Sequence, residues 1–82
     1  MPYIDKERRK ELSASLPEPV TAGELNYVIC MIAQKYLAKQ PKESYQYYND
    51  VIGVLECAKA EMYRRLVTPY EDKKIEENGD VF

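Results

Sequence analysis

Between Ser44 and Thr68 the chain reads SYQYYNDVIGVLECAKAEMYRRLVT, with no proline and a single glycine. At about 100° per residue, Tyr45, Tyr48, Ile52, Leu55, Met62, Tyr63 and Leu66 fall on one side of a helix. Val51, Val54 and Ala58 widen that side to roughly half the circumference. At ~1.5 Å per residue the helix is about 36 Å long, enough to cross a small domain. This is the central helix, and every other segment has to be accommodated to it.

A chain of 82 residues makes one domain, near the lower size limit for building its own core. With 45% hydrophobic and 32% charged residues it is ordinary globular material. There is no histidine, which removes histidine-based catalysis and most zinc or haem ligation. The net charge of −2 argues against nucleic acid, because no basic excess is available to displace counterions from phosphates. No signal-peptide pattern and no transmembrane run is visible, so a cytoplasmic setting without membrane attachment is expected. Cys30 and Cys57 then read as reduced, small buried apolar residues, with a disulfide or a reactive thiol as the alternatives. Eight tyrosines against one phenylalanine and no tryptophan form the one compositional excess. Tyrosine joins stacking area to a polar tip and is favoured at interfaces.

Five segments follow in chain order: 1–16, 17–20, 21–40, 44–68 and 69–82. Met1 to Ile4 is a short lead, with Tyr3 and Ile4 expected to dock on the body. Asp5 can cap a helix from Lys6 to about Ala14, whose apolar face is thin. Lys6, Arg8, Arg9 and Lys10 could form a basic patch, but Glu7 and Glu11 among them favour a solvated face. Pro17 and Pro19 make an extended connector. Thr21 and Glu24 form a capping box for helix two, which runs to about Lys39. Its apolar face is Leu25, Val28, Ile29, Ile32, Ala33, Tyr36 and Leu37, with Tyr27 and Met31 on the other side. A helix apolar nearly all round is normally buried on more than one side.

After the turn Gln40–Glu43, Ser44 is the N-cap of the central helix, which is expected to end at Pro69. Thr68, Pro69 and Glu71 repeat the start signals, so a short charged helix should follow at a new angle to about Glu77. Gly79 can supply the left-handed conformation past its end. Val81 and Phe82 are expected to dock as a hook, on this subunit or a partner. The fold class is therefore all-α. Two long helices pack as an antiparallel hairpin, short helices lie at each end, and oligomerisation, a homodimer first, completes the burial.

A second stripe on the central helix holds Asn49, Gly53, Glu56, Cys57, Ala60 and Arg64. Glycine inside a helix costs roughly 1 kcal/mol relative to alanine, so a packing reason is expected. The small residues Gly53, Cys57 and Ala60 fit a close helix crossing with a polar border. The alternative is a shallow pocket edged by an amide, a carboxylate and a guanidinium, suited to a partly anionic small molecule. Lys59 falls within the apolar face; it either lays its stem along the core or pairs with Glu56 or a second subunit. Arg64, Arg65 and Tyr70 could meet phosphates and a base, but Glu61, Glu71 and Asp72 oppose a polyanion. The acidic residues of the tail match no calcium loop, and Lys73 and Lys74 are interleaved with them. With no phosphate-cradling loop, metal motif or nucleophile–base pair, neither an enzyme nor a bound cofactor or metal is expected. The candidate ligand- or partner-binding residues are Asn49, Glu56, Lys59, Tyr63, Arg64 and Tyr70.

The segments Gly23-Glu24-Leu25-Asn26-Tyr27-Val28-Ile29, Gly53-Val54-Leu55-Glu56-Cys57 and Tyr63-Arg64-Arg65 are joined by a closing run, Pro69 to Ile75 with Asn78-Gly79-Asp80-Val81. Together they resemble a family of small proteins of unknown function encoded by bacteriophages, prophages and some bacteria. The resemblance spans nearly the whole chain and is weakest before Thr21; Phe82 stands where a tyrosine is expected. It implies a phage or bacterial cytoplasmic setting and carries over no functional residue.

Two functions remain open at this point. One is an oligomeric, non-catalytic protein-interaction module acting on a host or phage protein. The other is a protein that sequesters a small nucleotide-type signal as a phage anti-defence factor. Its pocket would hold Asn49, Glu56, Arg64 and tyrosines at a subunit boundary.

Overall fold

The computed structural model describes residues 4–82. All regular structure among them is helical: α1 (Lys6–Ala14), α2 (Ala22–Ala38), α3 (Tyr45–Met62), a π-helical turn (Tyr63–Val67) and α4 (Thr68–Asn78). The chain divides into two units, one reaching Tyr47 and one from Tyr48 to Phe82.

In the first unit, local side-chain chemistry sets each helix start. Asp5 is extended at φ −66°, ψ 162°, and its carboxylate accepts from the Arg8 amide at 2.9 Å. Thr21 Oγ1 accepts from the Glu24 amide at 3.1 Å. Glu24 reaches back to the Val20 amide, also at 3.1 Å, one residue further than the usual reciprocal cap. α2 ends in a tightened turn in which the Lys39 amide donates to the Tyr36 carbonyl at 3.3 Å, and Gln40 Nε2 meets the same oxygen. Ser44 Oγ then accepts from the Gln46 amide at 3.2 Å, and its carbonyl from Tyr47. Tyr3 lies outside the described residues, and Ile4 is exposed and does not dock.

The second unit departs from expectation at Pro69. Instead of a break and a fresh start, helix runs without interruption from α3 through the π-turn into α4. Proline in a regular helix cannot donate to the carbonyl four residues back, here Arg65, and its ring collides with that oxygen. The π-turn meets this by widening: the Thr68 amide donates to the Tyr63 carbonyl, five residues back. Thr68 is itself helical at φ −59°, ψ −48°, and α4 has no side-chain cap, so the Thr68–Glu71 capping box does not form. α4 stops at Gly79, whose amide donates to the Ile75 carbonyl at 2.8 Å. Gly79 has φ +84°, as expected, but ψ 156° puts it in the region open essentially to glycine alone rather than in the left-handed helical well. Val81 and Phe82 are fully exposed and form no hook on this chain.

Among the described residues no side chain is buried, and Cys30 and Cys57, expected to be buried, are free and exposed in this chain. Within this single chain α2 leaves Leu25, Ile29, Ile32 and Tyr36 between 39% and 51% exposed. On α3 Ile52 is 64% exposed and Leu55 40%.

Candidate functional site

All six candidate residues sit on the continuous helix of the second unit and are exposed. At ~1.5 Å per residue, Asn49 and Glu56 lie about 10 Å apart along the axis, and Arg64 about 12 Å beyond Glu56. They therefore share a side without converging on one ligand atom. Gly53 lies between the first two, and a Cβ placed there would meet nothing within 4 Å. The chain's own packing thus gives no reason for the glycine.

The charged members have partners, chosen by helical spacing. Lys59 Nζ lies 3.5 Å from Glu56 Oε1, both side chains being about 70% exposed. Its stem is not laid along a core; the ion pair with Glu56 is the arrangement found. At this spacing and exposure such a pair contributes about 0.3–0.5 kcal/mol. Arg64 Nη2 donates to Glu61 Oε1 at 2.7 Å, and Arg65 Nε donates to the same oxygen. Glu61 is the least exposed carboxylate in these pairs, at 29%. The Arg65 hydrogen bond, then that of Arg64, lowers its pKa below the ordinary carboxylate value. Arg64 is thus a clamp on Glu61 and not a free edge of a pocket. Tyr70 carries Lys74 over its ring at 5.5 Å, and Lys74 also reaches Glu77 at 3.3 Å.

The sequence alone presents Glu61 as a charge opposing phosphate, and Lys74 as part of a solvated helix. The spacings i, i+3 and i, i+4 from Glu61 to the two arginines were the signal for the clamp. The described hollows are open surface depressions. One lies between the proline connector and the start of α2, lined by Pro17, Pro19, Glu24 and Tyr27. Another runs along α4 beside Tyr70, Lys73 and Glu76. Among the described residues no helix is long and apolar enough to cross a membrane.

A family model, Domain of unknown function (DUF6899), matches residues 1–81. The chain belongs to this family. No curated protein and no solved structure matches the chain. DUF6899 membership agrees with the resemblance in its lack of an assigned activity and brings no binding residue with it.

Proposed function

We propose that this DUF6899 protein is a small, non-catalytic interaction module that acts as a homo-oligomer, a dimer in the first instance. Its setting is the bacterial cytoplasm, with a phage or host protein as partner. The carrying observation is that apolar residues along α2 and α3 are left uncovered, from Leu25 and Ile32 to Ile52, Val54 and Leu66. Covering the exposed half of a leucine- or isoleucine-sized side chain returns about 1 kcal/mol. Helices of this length draw most of their stability from such cover.

In this reading α2 folds back antiparallel on α3. With 17 and 18 residues the two are matched at about 26 Å each. The apolar sides left over pair between copies, and Asn49, Glu56, Lys59, Tyr63, Arg64 and Tyr70 form the polar and aromatic border that meets a partner. The absence of histidine and the pairing of Glu56, Lys59, Glu61 and Arg64 with one another support a binding role over a chemical one.

The test joins two measurements on the purified protein. Tagged protein should capture a partner that also binds when purified separately, and that binding should be lost on Tyr63→Ala. A thermal-shift screen against nucleotides and cyclic nucleotides should give no shift. A ligand present at ~1,000 times its dissociation constant raises stability by about 4 kcal/mol. Such a shift, without a protein partner, would replace this reading with sequestration of a nucleotide signal.

A further inference from the structure

We propose that Pro69 and the π-turn before it act as a register device. They turn α4 so that it continues the apolar side of α3, and the composite side seats a second copy of the chain. The proposal rests on the oligomeric reading above and specifies the surface used.

In an unbroken α-helix the apolar residues after Tyr63 would drift off that side. At ~100° per residue Val67 would lie about 120° from Leu55, Tyr70 about 80° from Met62, and Ile75 about 140° from Ile52. The hydrogen bond from the Thr68 amide to the Tyr63 carbonyl takes one extra residue into the turn. Everything after it is rotated back by about 100°. Val67 then comes within about 20° of Leu55, Tyr70 within about 20° of Met62, and Ile75 within about 40° of Ile52. Pro69 makes this conformation preferable, because a regular turn would set its ring against the Arg65 carbonyl. The Glu61 carboxylate, bonded to Arg64 and Arg65 at the start of the turn, ties down the outer side of the same segment.

The occupant follows from length and area. α3, the π-turn and α4 have 18, 5 and 11 residues, so their joint side is about 50 Å long. The 17 residues of α2 span about half of that. On the composite side Ile52 is 64% exposed, Met62 59%, Leu66 61%, Tyr70 59% and Ile75 41%. With Leu55 these residues offer on the order of 700 Å², close to the ~800 Å² each partner gives to a standard interface. A second copy brings a side of equal length, and in a two-fold pair the same patch meets itself.

Sedimentation equilibrium on the full chain tests this, with far-UV circular dichroism to follow helix content. Wild type should dimerise. Pro69→Ala should keep its helix content, alanine being the stronger helix former, and should weaken the dimer about tenfold or more. Deleting Arg64 in the Pro69→Ala background removes the extra residue, so a regular helix regains the α4 phase and Arg65 falls three residues after Glu61. Dimerisation should then return to within about threefold of wild type. If Pro69→Ala dimerises as tightly as wild type, or the deletion variant stays as weak as Pro69→Ala, the register device is wrong and the oligomeric reading stands. A wild-type chain that is monomeric throughout overturns both. Should Pro69→Ala lose helix content, the deletion variant decides alone: recovery supports the device and failure overturns it.

Discussion

Thr21 and Glu61 hold their surroundings by different means and give different signatures. Thr21 satisfies one of the four amides that the start of α2 would otherwise leave without a helical acceptor. Thr21→Ala should therefore cost about 1 kcal/mol, seen as a lower urea midpoint for loss of the helical signal. Glu61 is held ionised by Arg65 and Arg64, so its folded pKa lies below the ordinary value of 4.5. The stabilisation is present above that value and is lost as pH falls through the lower, folded one. Wild type should be more stable than Glu61→Gln at neutral pH, and the difference should vanish in acid. A denaturation series from neutral pH downwards checks it; a gap between the two proteins that persists or grows in acid would contradict the clamp. Both features are written locally in the chain. Thr21 and Glu24 are three residues apart, and Glu61 stands three and four residues before its arginines. Asp5 and Ser44 were legible for the same reason.

At the scale of elements the difficulty was Pro69. The letters Thr68, Pro69 and Glu71 are those of a helix start, and proline is favoured there because its missing donor costs nothing. The same letters are compatible with a helix interior if the preceding turn widens, and local spacing does not distinguish the two. What decides is whether continuing the helix keeps apolar residues on one side, a matter of phase over several turns. Gly79 is similar on a smaller scale: its need for positive φ was legible, but its ψ was not. One substitution should act with opposite signs on the helix and on association. In dilute, monomeric chain Pro69→Ala should strengthen the helix by up to about 3 kcal/mol. The same change should weaken association. Thermal melts at low and high protein concentration separate the two effects.

For the whole molecule, the sequence pattern made the helices legible and left their cover open. Apolar periodicity states which side of α3 or α2 wants burial; it does not name the surface that buries it. Ile52 and Leu55 would be placed equally well by a hairpin, by a second copy or by a partner. The candidate site was less legible than the fold, because its charged residues satisfy one another along the helix. Its aromatic members, Tyr63 and Tyr70, are 53% and 59% exposed. If association covers the apolar side, a charge placed within it should separate the copies. Ile52→Glu should leave a monomer of lowered helix content.

Sedimentation velocity over a dilution series, with matched circular dichroism, reads self-association through the apolar sides. Pairing of those sides should give a mass that is a multiple of 9.6 kDa at micromolar concentration, with mass and helix signal falling together on dilution. A stable, fully helical monomer of 9.6 kDa throughout that range would contradict it.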